Sequence, residues 1–141
     1  MHKRILGVDV GDKRIGLAVS DELGITAQPL GTIERTQTSD DFKKVVEAAE
    51  NCEAGLIVLG LPMKLDGSSS PQTEKVQRFI QKLGGYTAIP IDTWDERFTT
   101  ATAEASLIEA NVRRKARRKV IDSAAAQIML QHYLDCQRRK N

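Results

Sequence analysis

Asp9 stands near the end of an apolar run, Ile5-Leu6-Gly7-Val8-Asp9-Val10-Gly11. An ionised carboxylate in such a run is costly unless something pairs with it. Asp beside Gly also caps turns, so the position alone leaves both readings open. Asp122 raises the same question. At helical spacing it shares a face with Ala125, Ala126, Met129 and Tyr133, which should lie against a sheet. The helix dipole would make an acid near a helix start tolerable, but it does not explain why the acid points inward. Asp95 and Glu96 sit in Trp94-Asp95-Glu96-Arg97-Phe98-Thr99-Thr100. For Glu96, an ion pair with Arg97 or a contact to the following helix start is as good a reading as a functional one. Acids near the ends of adjacent elements suggest a shared cation. Crowded like charges repel and raise one another's pKa, and a divalent ion removes that penalty. Oxygen ligands without His or Cys suit Mg²⁺ or Mn²⁺ rather than zinc. Two such ions ~4 Å apart can activate water and stabilise the leaving oxygen of a phosphodiester.

These side chains need elements to position them. Ile5 to Val10 and Arg14 to Ser20 are apolar runs joined by a tight Gly-Asp-Lys turn, which predicts a hairpin. A third strand is expected over Thr26 to Glu34, with Pro29 marking an edge or a bulge. Ser39 or Asp40 can cap a helix to about Asn51, with Phe42, Val45, Val46 and Ala49 on one face. Leu56 to Leu59 reads as a strand ended by Gly60-Leu61-Pro62, and Lys64 to Ser70 as a flexible loop. Pro71 opens a helix that ends at Gly84-Gly85. Thr87 to Ile91 is the expected fifth strand. Thr99 or Thr100 caps a further helix to about Ala110, and the last helix covers about Lys119 to Cys136. The order predicts an α/β fold with one five-stranded mixed sheet, three antiparallel strands and then two parallel, flanked by helices on both faces. No repeat or linker interrupts it, so residues 1–141 are expected to be a single domain.

The 141 residues suffice for one real core. A hydrophobic content of 40% excludes a disordered tail or a fibrous repeat, and 4% aromatics leaves the core to Val, Ile, Leu and Ala. The net charge of +2 says little about partners, but its distribution says more. Arg113 to Lys119 reads Arg-Arg-Lys-Ala-Arg-Arg-Lys, a loop or helix start that can attract a polyanion. Cys52 and Cys136 lack metal spacing and read as reduced thiols. His2 and His132 are too isolated to pair, and His132 reads as a packed residue. No stretch has the length and apolarity of a membrane span, and no signal peptide is visible, so a cytoplasmic location is expected.

The chain resembles the YqgF family, also called RuvX, of the ribonuclease H-like superfamily. The resemblance covers nearly the whole chain. It rests on Gly7-Val8-Asp9-Val10-Gly11-Asp12-Lys13-Arg14-Ile15-Gly16-Leu17-Ala18-Val19-Ser20-Asp21, on Ala27-Gln28-Pro29-Leu30 and on Gly60-Leu61-Pro62. Asp95-Glu96-Arg97-Phe98-Thr99-Thr100 and Arg118-Lys119-Val120-Ile121-Asp122-Ser123-Ala124-Ala125-Ala126 complete it. The resemblance implies a ribonuclease H-like fold and an acidic metal site formed by Asp9, Glu96 and Asp122. It implies a nuclease for the 5′ end of precursor 16S ribosomal RNA, or a Holliday junction resolvase acting on four-way DNA junctions. The residues themselves do not choose between these.

On this reading Asp9 bridges two Mg²⁺ or Mn²⁺ ions, with Glu96 and Asp122 each holding one side. Lys13 and Arg14, after the hairpin turn, are candidate phosphate contacts, though an exposed turn would also carry them. Thr99 and Thr100 at a helix start can bind phosphate through backbone N–H groups, which is compatible with plain capping. Arg113, Arg114, Lys115, Arg117, Arg118 and Lys119 are the best candidates for sequence-independent contacts to a nucleic-acid backbone; a solvated loop is the plain alternative. Lys64 to Ser70 either orders on substrate or is a simple connection. A non-catalytic ribosomal RNA-binding module would need the basic run but not the acids. An ATP-binding fold of the actin and sugar-kinase type shares the Asp-x-Gly hairpin but needs two such domains. The chain is expected to be a monomer or a homodimer, and a resolvase should be a symmetric dimer so that paired strands are cut.

Overall fold

Side-chain alternation in the first strand decides what each face of the sheet receives. Leu6, Val8 and Val10 are buried on one face, which leaves Ile5, Gly7 and Asp9 on the other. The computed structural model describes residues 3–96 and 114–140; for 114–123 and 139–140 only the helix they form is described. The elements are β1 (Arg4–Val10), β2 (Arg14–Ser20), β3 (Ala27–Glu34), α1 (Asp40–Asn51), β4 (Ala54–Leu61), α2 (Pro71–Leu83), β5 (Ile91–Asp95) and α3 (Arg114–Lys140). They form a five-stranded sheet in the order β3-β2-β1-β4-β5. The pairs β1–β2 and β2–β3 are antiparallel, and β1–β4 and β4–β5 are parallel, as the order of apolar runs predicted.

The first face packs under α1 and α2. Leu6, Val8, Ile15, Leu17, Ile57 and Leu59 from the strands meet Val45 and Ala49 of α1 and Val76, Phe79 and Leu83 of α2. The second face takes α3, where Ala126, Met129, Leu130, Tyr133 and Leu134 meet Ala18, Ala27 and Val58. Each layer removes apolar surface from water, at roughly 25 cal/mol per Å². Among the described residues no helix is long and apolar enough to cross a membrane.

Pro29 behaves as a proline in a strand must. β3 is an edge strand, and its register slips between Leu17↔Gly31 and Ala18↔Pro29, which leaves Leu30 as the extra residue of a bulge. Elsewhere the structure differs from the sequence expectation. The fifth strand is Ile91–Asp95, not Thr87 to Ile91. Thr87 Oγ1 accepts from the Ile89 N–H at 3.1 Å in a local turn, and Pro90 has no N–H to give a ladder. Pro90 instead accepts from the Ile57 N–H at 2.9 Å, and regular pairing runs from Ile57↔Ile91 to Leu61↔Asp95. The last helix starts at Arg114, earlier than Lys119, and continues to Lys140. Arg, Lys and Ala are all good helix formers, and no Gly or Pro interrupts them. Arg114 to Lys119 is therefore helical, whereas Arg113 and the helix expected from Thr99 or Thr100 lie outside the described residues.

Asp41 fixes the turn between β3 and α1. Although buried, it accepts from the Thr36 N–H at 2.9 Å, Thr36 Oγ1 at 2.8 Å, the Gln37 N–H at 3.0 Å and Arg35 Nε at 3.3 Å. Burial alone would raise its pKa, but the donors from Thr36, Gln37 and Arg35 hold the carboxyl below its ordinary value. Asp41→Ala should strip these donors of their partner and destabilise the fold by about 3 kcal/mol in urea unfolding. Because the folded pKa is depressed, that contribution is present above the ordinary value of 3.8 and should fade as pH falls through the folded pKa. A change in unfolding free energy below about 1 kcal/mol at neutral pH would contradict this role.

Candidate active site

Asp9 lies on the α3 face of β1, one residue before the strand ends. Its partner across the antiparallel pair is Gly16. On the other side Gly60 lies one residue past Leu59, the partner of Val8. Both flanking positions on this face therefore lack side chains, which leaves room beside Asp9 at the carboxyl ends of β1 and β4. Glycine inside a strand commonly marks such a close approach.

Glu96 fills part of that space. Gly60 pairs with Trp94, and Glu96 follows two residues later on the same face. A Cβ on Gly60 would stand 2.7 Å from Glu96 Cδ and 2.9 Å from its Cγ, so the carboxyl is folded over the glycine. There the Glu96 carboxyl is hydrogen bonded to Asp9. Burial, then the charge and hydrogen bond of Asp9, then the charge of Asp95 push Glu96 up to about 9. The two carboxyls in the metal-free chain therefore share a proton between them. A cation bound between the carboxyls would take the place of that proton.

Asp122 belongs to α3, whose direction follows from its contacts. At Gly7 an added Cβ would stand 3.0 Å from Leu130 Cβ, so helix and strand cross closely there. Further along α3, Gln131 Oε1 accepts from the Ala27 N–H at 2.9 Å and Gln131 Nε2 donates to the Ile25 carbonyl at 2.8 Å. Those residues lie at the end of the sheet far from Asp9, so α3 runs antiparallel to β1 and its earlier turns lead toward the Asp9 end. Asp122 precedes Leu130 by roughly 12 Å along the helix axis. Its side chain lies outside the described residues. Of its expected face, Ala126, Met129 and Tyr133 are buried and Ala125 is half-buried. Tyr133 Oη donates to Asp92 Oδ2 at 2.9 Å and its ring meets Trp94 edge-on at 6.2 Å, which ties α3 to the strand that delivers Glu96.

The other expected residues fall in several places. Arg14 shares the face of Gly16 and Asp9, and its Nε donates to Glu34 Oε1 at 2.9 Å. Lys13 is exposed in the turn, where its carbonyl accepts from the Arg35 N–H at 2.8 Å. Thr99, Thr100 and Arg113 lie outside the described residues, as do the side chains of Arg114, Lys115, Arg117, Arg118 and Lys119 in the first turns of α3. Asp95 ends β5, and its charge helps to raise the Glu96 pKa. His132 is half-buried. Lys64 to Ser70 closes on itself, with the Lys64 N–H donating to the Ser68 carbonyl at 3.0 Å and the Gly67 N–H to the Lys64 carbonyl at 2.8 Å. The sequence marks Gly60 only as part of a strand stop and gives Gly16 no separate role; a glycine interrupting an apolar strand is the signal for the space beside Asp9.

Two hard carboxylate donors in contact suit Mg²⁺ or Mn²⁺, which need only one or two protein carboxylates when water and substrate phosphate complete the shell. Among the described residues no third His, Cys, Asp or Glu completes a metal-binding group. Gly60→Ala should displace Glu96 and reduce Mn²⁺ affinity on the order of 10–100-fold with the fold retained, measured by calorimetry. The metal-free protein should also lose stability as pH rises. The folded state holds a Glu96 proton that the unfolded chain releases, so this stabilisation is complete below about 4.5 and is lost by about 9. In EDTA, the Tm of the wild type should fall relative to Glu96→Gln over that range. Parallel Tm profiles would contradict the assignment.

Residues 3–136 match the RuvX family, described as Holliday junction resolvase. A relative from Thermoanaerobacter pseudethanolicus, named "Putative pre-16S rRNA nuclease", is 46% identical over 138 residues, covering 97% of this chain and 99% of its own. One of the same name from Clostridioides difficile is 47% identical over 132 residues, covering 94% of each chain. Among solved structures, the fowlpox virus resolvase with Holliday junction DNA has a TM-score of 0.60 at 15% identity, covering 95% of this chain and 98% of that one. RuvC of T. thermophilus in complex with a Holliday junction substrate has a TM-score of 0.58 at 13% identity, covering 98% and 97%. At these identities the likeness establishes the fold, the ribonuclease H-like architecture expected above. By the match over residues 3–136 and the identity to relatives along nearly their whole length, the chain belongs to the RuvX family.

Proposed function

We propose that this chain is a metal-dependent nuclease that processes the 5′ end of precursor 16S ribosomal RNA in the cytoplasm, with residues 1–141 acting as one domain. The observation that carries this reading is the contact of the Glu96 and Asp9 carboxyls over Gly60, at the carboxyl edge of the sheet. Relatives of nearly equal length that carry a pre-16S rRNA nuclease name support the choice of substrate.

In this reading Asp9, Glu96 and Asp122 would hold Mg²⁺ or Mn²⁺, two ions in all, and the ions would supply a water nucleophile and charge for the leaving oxygen. Asp9, placed between the two glycine positions, would be the shared ligand. Glu96 would release the proton of the pair to solvent on becoming a ligand, and Asp122 would complete the set from α3. Arg14, on the same face, holds the phosphate beside the acids, and Lys13 adds charge at the turn. Thr99 and Thr100 offer N–H groups to a neighbouring phosphate. Arg113, Arg114, Lys115, Arg117, Arg118 and Lys119 grip the backbone of the strand without reading its sequence.

The second reading, a Holliday junction resolvase, is favoured by the family's description and by the junction-bound structures that share the fold. It requires a symmetric dimer, whereas trimming of RNA ends works with a monomer or a homodimer. A non-catalytic RNA-binding module would keep its function without the acids. Under one Mg²⁺ condition, precursor 16S RNA should be cleaved faster than a four-way DNA junction. Asp9→Asn should reduce that cleavage by at least about a hundredfold with an unchanged circular dichroism spectrum. Faster junction cutting supports the second reading, and full activity in Asp9→Asn contradicts the acidic site.

A further inference from the structure

On the face of the sheet opposite the acids, a cavity of ≈470 Å³ opens between α1, α2 and the β1–β2 turn. Arg35, Lys75, Arg78 and Lys82 surround it, with Phe42 and Phe79 as its apolar floor. Lys75, Arg78 and Lys82 recur at helical spacing, so α2 presents them as one stripe beside its buried residues Val76, Phe79 and Leu83. Asp12 also lines the cavity and meets Lys75 Nζ at 3.7 Å, a weak pair because both side chains are more than half exposed. Arg35 is fixed by Asp41 at 3.3 Å and by the Gly11 carbonyl at 3.0 Å, and its guanidinium stands 5.3 Å from the centre of the Phe79 ring. Arg78 and Lys82 take part in none of the ion pairs among the described residues. Four cations against Asp12 and Asp41 leave the groove with a net positive charge, carried by Arg78 and Lys82.

The rings narrow the ligand's chemistry. Phe42 packs on Phe79 at 4.7 Å and stacks on Tyr86 at 5.3 Å, so these faces are already engaged with each other. The groove offers cations and a firm apolar floor rather than an open platform for a stacked base. A phosphate–sugar backbone fits that combination, with phosphates on the cations and sugars over the rings. The position fits as well. Gln37 Nε2 donates to the Asp12 carbonyl at 2.9 Å, and Gly11 is bonded to Arg35, so the hairpin turn forms the rim of the groove. From Asp9 to Asp12 the chain spans at most about 10 Å. A strand leaving the acids over this turn arrives among Lys75, Arg78 and Lys82.

We infer that this groove is a second nucleic-acid contact, which holds the backbone of the single-stranded substrate beyond the point of cleavage. The inference rests on the nuclease reading, but binding tests it without cleavage. The probe is a fluorescent single-stranded RNA of about 16 nucleotides in EDTA, with anisotropy followed from about 50 to about 200 mM salt. Arg78→Ala/Lys82→Ala removes two phosphate contacts, so the slope of log affinity against log salt should become shallower by about 1.4. Over that salt range the wild type should lose about sevenfold more affinity than the variant. Arg78→Lys/Lys82→Arg, which keeps both charges, should restore most of the slope. Equal slopes in wild type and a folded alanine variant would overturn the groove as a backbone site, whatever the chain cleaves. A chain that cleaves no nucleic acid yet shows the slope difference would contradict the nuclease reading and support the groove.

Discussion

Two half-buried carboxyl groups in hydrogen-bond contact set the terms for the rest of this molecule. Glu96 and Asp9 cannot both be ionised at that separation without a strong penalty, since both burial and the neighbouring charge oppose it. A proton resolves the conflict in the metal-free chain, and a divalent cation resolves it in the proposed enzyme. An alternative packing that filled this place with apolar atoms would avoid the conflict altogether. The scaffold instead keeps room for it. Gly16 and Gly60 leave the positions beside Asp9 without side chains, and the Glu96 carboxyl occupies the space that a Gly60 Cβ would take.

The surrounding architecture follows from this need. β1 lies in the middle of the sheet, covered by α1 and α2 on one face and by α3 on the other. Its carboxyl end carries the acids, the usual place for a site in a sheet with parallel strands. β5 sets the depth of Glu96, and Tyr133 anchors that strand to α3 through Asp92. The close crossing at Gly7 and the Gln131 bonds to the start of β3 and the turn before it hold α3 antiparallel to β1, so its first turns lead toward the acids. On the other face, Asp41, Arg35 and the Gly11 carbonyl link the helix layer to the hairpin turn beside Asp9. The acidic site and the basic groove therefore share one rim.

Much of this was legible in the residues. Alternation in Ile5 to Val10 shows which side chains face the core, and Asp9 falls on the opposite side, with Gly7 under α3. Pro29 marks the edge strand and its bulge. The parallel and antiparallel halves of the sheet follow from the order of apolar runs. The depth of Glu96 was not legible, because local β-propensity before Pro90 placed the fifth strand too early. Only pairing with β4 shows that regular structure starts at Ile91. Gly60 read as a strand stop; its role as space for a carboxyl depends on a partner 36 positions away in the chain. The basic groove was equally hidden. Arg35 and the α2 stripe are distant in sequence and meet only through the packing of α1 and α2 beside the hairpin turn.

In the proposed enzyme the carboxyls of Asp9 and Glu96 close on one divalent cation. Anomalous diffraction from crystals grown with Mn²⁺ tests it most directly. A manganese peak is expected between these carboxylates, with oxygen–metal distances of about 2.1–2.2 Å, and is expected to be lost in Glu96→Gln crystals. Manganese bound elsewhere, with Asp9 and Glu96 still sharing a proton in its presence, would contradict it.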